Sequence, residues 1–490
     1  MQTRSPWLVL AIVSTALFLI VVDMTVLYTA LPRLTQDLRA TAVEKLWIVN
    51  AYSLVVAGLL PGSGALGDRF GHRRMFVIGL VIFGVASLIA GMAPSSTVLI
   101  GARALLAVGA AAMMPATLSI IRHSFEDPAQ RSLAIGVWAA VASGGAAIGP
   151  LMGGILLEHF HWGAVFLVNL PIVALAIPLT LHYVPRGTSG GGHPFDPVGS
   201  VMILIGLISL TLAIKEIAKP QPGWAGFALP AVIGVAAVWL FIRRQRRGPH
   251  PMIDLALFRD TRFAAGVIGA ISSAAVLMGL ELVISQRLQL VAAMTPLQAG
   301  LFILPIPLAS FVAGPLAGVL LGRIETGKVL TWSFALTALG VAGYTLSFDG
   351  QAWAQLTSFA AIGGGIGAAM TAASSAIMLN APAHRAGMAA SIEEVSYELG
   401  GALGVALLGS LMSGVYTAAY LAGGDPGAAM AADSLDQAML VAETLPHEQA
   451  AQILSTATAA FERSVSVVMM VSTAILIAAT LWIARLSRII

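Results

Sequence analysis

Fourteen stretches of this chain run for about twenty residues with scarcely a charge, the length at which an α-helix crosses the hydrocarbon core of a bilayer. They lie near 7–31, 46–66, 75–94, 97–120, 132–157, 164–183, 197–215, 226–242, 263–290, 298–321, 329–348, 354–379, 389–416 and 464–484. The bilayer interior offers no water to backbone N–H and C=O groups, so a spanning run of this length must satisfy them internally, as a helix. Of the 490 residues, 58% are hydrophobic and only 10% charged, whereas a soluble domain is roughly 25% charged. The expectation is an all-α polytopic membrane protein with no separately folding soluble body. The sequence has no cysteine, which removes disulfide frameworks and thiolate metal sites.

The charges in the connections set the topology. Eighteen Lys and Arg fall on the ends and connections that share a side with both termini, seven fall on the other side, and Arg103 falls within a span. The positive-inside rule then places both termini in the cytoplasm, and the sequence pI near 9.3 reports topology instead of nucleic-acid binding. The first run continues past Asp23 to Leu31 with no small-x-small cleavage site, so it reads as a span and not as a signal peptide. A Gly/Pro-rich linker (185–197) and a basic one (243–263) bracket a two-helix hairpin. Removing the hairpin leaves six spans on each side, the pattern of two similar halves with a cavity between them. The expected organisation is an N-terminal bundle over 1–184, linkers and insertion over 185–262, and a C-terminal bundle over 263–490. The longest connection, 417–463, falls on the outer, periplasmic side, where Ala428–Met439 and Pro446–Phe461 read as short helices of a simple cap.

The few charges inside the spans matter most. The run 389–416 carries Glu393, Glu394 and Glu398, and a carboxylate at mid-membrane costs about 2.5–3.5 kcal/mol on insertion scales. Glu394 and Glu398 are four apart and share a helix face. Two acids that close repel when both are ionised, which favours a shared proton or a bound cation. The bland alternative is that Glu393 lies near the water boundary and only Glu398 is deep. Asp23 lies ~24 Å into its span at 1.5 Å per residue, inside the membrane unless it borders the outer mouth. Glu281 has no evident basic partner and either lines the cavity or approaches the outer surface. Arg103 is only ~9 Å from the outer end of its span and is close enough to snorkel. Trp47, Tyr52, Trp138 and Tyr397 could offer aromatic faces to quaternary ammonium groups.

Several apparent motifs carry nothing. Gly322–Lys328 has Walker A spacing, but Val329 replaces the Mg²⁺-holding hydroxyl and a membrane run precedes it. Gly363, Gly364, Gly365 and Gly367 sit within an apolar run, where small residues permit close helix packing. No zincin motif, nucleophile elbow or metal-spaced histidine pair is present. The sequence therefore points to neither an enzyme, nor a metal site, nor a cofactor.

Between the second and third runs stands Gly64-Ala-Leu-Gly-Asp68-Arg69-Phe-Gly71-His-Arg73-Arg74. Gly71 permits a tight turn, and Asp68 among arginines can pair with a base or a helix N-terminus, as a gate latch would. In the fifth run Gly145, Gly149 and Gly153 recur every fourth residue, with Pro150 and Gly154 beside them. They form a smooth stripe with a helix-kinking proline. The first pattern resembles the signature loop of the major facilitator superfamily, and the second its antiporter motif. The equivalent loop of the second half, around Gly318–Arg323, is degenerate, with Gly322 in the acid's place.

Asp23-Met-Thr25-Val26 with Ala30-Leu31-Pro32, Trp162–Pro171, and Pro251-Met-Ile-Asp254 with Phe258 resemble the fourteen-span drug:proton antiporters of that superfamily. Arg103 fits their fourth-span basic residue, although Leu106 and Ala107 depart from the usual Gln and Gly. The runs around Gly136–Gly163 and Tyr397–Gly404 look like SmvA-type methyl viologen and cationic biocide pumps. The resemblance implies a major facilitator fold of two six-helix bundles plus a two-helix insertion, working as a monomer in a bacterial inner membrane. It implies proton-coupled export of lipophilic mono- and divalent cations, with Glu394, Glu398 and Asp23 as the family's intramembrane acids. Alternatives are export of an endogenous metabolite on the same fold, or a membrane receptor or enzyme.

Overall fold

A computed structural model describes residues 5–40, 42–186, 196–217, 223–247, 253–348, 350–422 and 431–486. The described residues are almost entirely helical and contain no strand. In chain order the helices are α1 (Pro6–Asp37), α2 (Ala42–Phe70), α3 (His72–Gly91), α4 (Ser96–Ser124), α5 (Pro128–His159), α6 (Ala164–Leu167) and α7 (Asn169–Tyr183). They continue with α8 (Pro197–Ile217), α9 (Trp224–Arg247), α10 (Thr261–Leu290), α11 (Pro296–Ile303), α12 (Pro305–Leu321), α13 (Thr326–Leu346), α14 (Ala352–Asn380), α15 (Ala386–Ala422), α16 (Leu435–Ala442) and α17 (His447–Leu486). Taking α6 with α7 and α11 with α12, fourteen segments are long and apolar enough to cross a membrane.

Local chemistry sets the helix starts. The Ser95 hydroxyl accepts from Val98 N, the Asp127 carboxylate from Gln130 N, and Thr295 with Gln298 closes a capping box at α11. Each satisfies a backbone N–H that the first helical turn leaves without a partner.

Six spans on each side of the α8–α9 hairpin form two bundles, which meet along α2 with α15 and α5 with α12. The hairpin packs against α2, where Gly58 seats Leu204 and Ile208, and lightly against α15. The outward side of α9 exposes Trp224, Leu229, Val232, Val235 and Trp239, so the hairpin lies outside the bundle interface. At its base Asp196 accepts two hydrogen bonds from Arg244, at 2.8 and 3.0 Å.

The closest approaches between bundles gather at one face. A Cβ at Gly136 would stand 2.5 Å from the Gly314 carbonyl oxygen, and one at Gly318 would stand 2.6 Å from that of Ser132. Ser143 and Ser310 hydroxyls meet at 2.8 Å. The serine pair lies near the middle of α5, and the two glycine contacts lie toward the helix ends that border the α2–α3 and α4–α5 connections. Arg69, Arg73, Arg74 and Arg131 are there, and this side is called the basic face below.

The segment 417–463 departs from expectation. Helices α15 and α17 contain 37 and 40 residues, about 55–60 Å each, twice the hydrocarbon thickness of a bilayer. The expected short helix Pro446–Phe461 is the first part of α17, and α16 stands where Ala428–Met439 was expected; residues 423–430 lie outside the described residues. The physical reason is that His447–Leu486 contains neither Gly nor Pro, so nothing stops the helix propagating from a polar start into the apolar run. Tyr416 and Thr417 hydroxyls bond the Ala431 and Ala432 carbonyls, both at 2.8 Å, and tie the connection back to α15.

Candidate functional site

Three groups of residues stand out, and the first closes the basic face. Helix α2 ends at Phe70 and α3 begins at His72, with Gly71 between them at φ 97°, a conformation that L side chains rarely adopt. One turn earlier Asp68 reaches across to the other bundle. Its Oδ1 accepts from Gly387 N at 2.8 Å and its Oδ2 from Met388 N at 3.0 Å. Asp68 thus satisfies first-turn N–H groups of α15, where the helix dipole favours a negative charge. His72 Nε2 lies 3.2 Å from the same carboxylate. The backbones touch beside it, since a Cβ at Gly64 would stand 2.3 Å from the Gly387 oxygen. Arg122 donates to the Ala381 carbonyl just before α15, and Arg385 pairs with Asp254 at 2.9 Å. Arg69 lies over the Phe70 ring, and Arg73 donates to the Leu181 carbonyl.

The second group lies inside the N-terminal bundle. Asp23 and Arg103 form a buried ion pair at 2.6 Å. Asn169 Nδ2 donates to Asp23 at 3.3 Å and to Ser87 at 3.1 Å, while Arg103 Nε donates to the Ile48 carbonyl at 3.3 Å. The guanidinium also covers the Tyr52 ring, 4.5 Å from its centroid. Arg103 therefore does not snorkel, because a carboxylate, a carbonyl and an aromatic face hold it inside. The antiporter-motif glycines position this pair from behind. Gly145 seats Val21, Gly149 seats Thr25 and Gly153 seats Thr29, so α1 lies in the stripe on both sides of Asp23. Gly154 has no neighbour within 4 Å, and the side chain of Pro150 lies outside the described residues.

The third group is on α15. Glu393 is 0% exposed, and among the described residues neither carboxylate oxygen meets a donor at hydrogen-bond geometry. Its polar neighbours are Ser374 and Tyr397, whose hydroxyl donates to the Met370 carbonyl at 3.2 Å. Glu394 is also buried, with Oε1 unpartnered, whereas Glu398 is half-buried. Glu393 and Tyr397 share the face turned to α14, while Glu394 and Glu398 share the next face around the helix. Tyr52 is within electrostatic range of both charged groups, Asp23 with Arg103 and Glu394 with Glu398. Its ring, expected to be open to a ligand, is buried under Arg103. Trp138 is buried as well, donating to Thr117 at 3.1 Å, whereas Trp47 is 46% exposed. Glu281 is exposed and has no ion pair or hydrogen bond among the described residues.

The sequence matches the family model of the Major Facilitator Superfamily over residues 13–405. The chain belongs to the major facilitator superfamily. It is 41% identical over 465 residues to the methyl viologen resistance protein SmvA of Salmonella typhimurium, covering 94% of each chain. To the multidrug efflux pump LfrA of Mycolicibacterium smegmatis it is 38% identical over 488 residues, covering 97% of this chain and 96% of that one. Among solved structures, the human organic anion transporter MFSD10 superposes with a TM-score of 0.62 at 14% identity, over 96% of this chain and 99% of that one. The proton:xylose symporter XylE gives 0.58 at 12% identity, over 83% and 88%. At such identities the likeness shows the fold alone. The protein is a multi-pass membrane transporter of a family whose similar members are drug efflux pumps, and not an enzyme.

Sequence reasoning missed three features of this major facilitator. Glu393 gave only the signal of an acid beside another acid, with nothing to say that it turns to α14. The pairing of Asp23 with Arg103 spans 80 residues; two opposite charges in neighbouring bilayer spans are the signal that could have found it. Asn169 stood out only as part of the Trp162–Pro171 run, with nothing to pair it with Asp23, and Ser87 carried no signal beyond being a polar residue within an apolar run.

Proposed function

We propose that this transporter is a proton-coupled antiporter that exports lipophilic mono- and divalent cations from the cytoplasm. The basic face would be the cytoplasmic side of a bacterial inner membrane, with both termini inside and the chain working as a monomer. The observation that carries the reading is the acid set of α15: Glu393 and Glu394 are buried with no basic residue paired to either among the described residues. Buried carboxylates without a cation favour taking up a proton or a positively charged ligand. The relatives' names point the same way, since methyl viologen is a dication. Organic cations without N–H groups are recognised by long-range charge and apolar contact, which tolerates many shapes.

In this reading Glu394 and Glu398 exchange protons for the drug, and Tyr52 links them to Asp23 and Arg103. A proton on Asp23 removes the charge that holds Arg103, so the two groups share one electrostatic state across the bundle interface. Asp68, bonded from α2 to the first turn of α15, holds the cytoplasmic side shut in the present conformation, and its release would let the bundles part there. Transport by purified protein in proteoliposomes under an imposed pH gradient tests the proposal. Gradient-driven movement of a lipophilic cation against protons is expected, and transport indifferent to the gradient refutes the coupling.

A further inference from the structure

The largest pocket described on the basic face has no part in this cycle. It is a recess of about 580 Å³ between the ends of α3 and α7, lined by Phe70, Arg73, Arg74, Val77, Leu181 and Arg186 among others, with three arginines and no acid. Arg73 is committed to the Leu181 carbonyl, which fixes the two helix ends to each other. Arg74 and Arg186 are exposed and make no ion pair or hydrogen bond among the described residues. Three cations converging on one recess repel one another unless an anion is present.

The recess, which Ile78 and Leu181 help to line, continues into an apolar surface along α3 and α7, called the groove below. On α3, Ile78, Val81, Val85 and Leu88 are all 44–51% exposed and follow one face of the helix. On α7, which packs beside α3, Leu181 and Leu175 are exposed as well. The groove therefore leads from the arginines toward the bilayer centre. A soluble anion would match the arginines and leave the groove unused. A zwitterionic headgroup carries its own cation into a site that already has three.

We propose that this recess is a binding site for an anionic diacyl phospholipid. Its phosphate lies against Arg74 and Arg186, with Arg73 beside them, and one acyl chain lies along Ile78, Val81 and Val85. Basic pockets between spans at the cytoplasmic level attract anionic headgroups for the same electrostatic reason. The orientation proposed above decides only which leaflet supplies the lipid, not whether it binds. The site adjoins Gly71, three residues from Asp68, so an occupied pocket braces the turn that carries the latch.

The test uses the full chain purified in detergent and native mass spectrometry, with phosphatidylglycerol, phosphatidylcholine and water-soluble glycerol phosphate as probes. Wild type should retain phosphatidylglycerol in preference to the other two. Arg74→Gln/Arg186→Gln should bind it about thirtyfold more weakly, from the loss of two interfacial cations, with phosphatidylcholine unchanged. The double variant should melt at the wild-type temperature in lipid-free detergent, and added phosphatidylglycerol should raise that temperature only for wild type. Val81→Trp fills the groove while keeping every arginine, and should also lose phosphatidylglycerol. Equal retention of phosphatidylglycerol and phosphatidylcholine by wild type, undiminished binding by either variant, or glycerol phosphate binding as well as the lipid would each overturn the proposal.

Discussion

Replacing Asp68 by Asn tests the latch with one atom changed. Asp68 now accepts two backbone hydrogen bonds, at 2.8 and 3.0 Å, from the first turn of α15, and adds a full negative charge at that helix end. Asparagine has one acceptor oxygen, so one bond and the charge are lost. A hydrogen bond to a charged group and a favourable helix-end charge together amount to about 2–3 kcal/mol. Because neither contact exists once the bundles part at the basic face, the whole loss falls on the closed state. The closed-to-open ratio should then drop about 30- to 150-fold.

The sequence has no cysteine, so a cysteine pair can be introduced without background labelling. Glu126 and Arg323 are exposed on opposite bundles at the basic face, and spin labels there report the gap by pulsed dipolar spectroscopy. The wild type should give a short distance and Asp68→Asn a new long one, with transport impaired and cation affinity close to wild type. If the distances stayed the same, or if binding collapsed with transport, Asp68 would belong to the site or to folding and not to a latch.

Four other substitutions, one of them with a second-site rescue, separate the remaining parts. Arg103→Gln leaves the Asp23 carboxylate buried without its cation, and removing one member of a buried pair costs about 3–5 kcal/mol; melting in detergent should show that loss, and Asp23→Asn in the same chain should restore part of it. Gly149→Val drives a side chain into Thr25 on α1, whose Oγ1 lies 1.8 Å from a Cβ built there, at a cost of about 1–3 kcal/mol. Gly154→Ala, which meets no neighbour, should stay within about 0.5 kcal/mol of wild type in the same melting assay. Outside the membrane spans, hydrogen bonds from Arg244 hold the Asp196 carboxyl below its ordinary value of 3.8. A depressed folded-state value means that this clasp contributes above pH 3.8 and is lost as pH falls through the lowered value. Titration of Asp196 followed by NMR should show that value rise toward 3.8 in Arg244→Gln.

The number and length of the spans are legible in the sequence because apolar runs of bilayer length have one structural solution. Gly71 is legible for a similar reason: a one-residue turn between two helices demands a left-handed φ. The target of Asp68 is not, since its partners lie 319 and 320 residues away and belong to the backbone, which carries no sequence signal. The shared face of Glu394 and Glu398 follows from helical spacing. Which face of α15 is buried does not follow from spacing, because Ser374 and Met370 on α14 decide it. The 417–463 segment was misjudged because apolarity locates membrane spans, whereas helix propensity, unbroken from His447 onward, determines where a helix begins. Tyr52 and Trp138 show the same limit: their type suits a ligand, but Arg103 and Thr117 are their partners.

The central claim is that the acids of α15 exchange protons for cations. It is tested most directly by transport of one monovalent and one divalent lipophilic cation in proteoliposomes under an imposed pH gradient, comparing wild type with Glu394→Gln and Glu398→Gln. Because a bound cation favours ionised acids, binding should release protons and tighten as pH rises. Glu398, half-buried and reachable by water, should be needed for proton coupling with both substrates. Glu394 should matter most for the divalent one, whose second charge needs a second carboxylate. The account predicts that Glu398→Gln abolishes gradient-driven export of both cations, while Glu394→Gln loses chiefly the divalent. Full proton-coupled export of both by Glu398→Gln would contradict it.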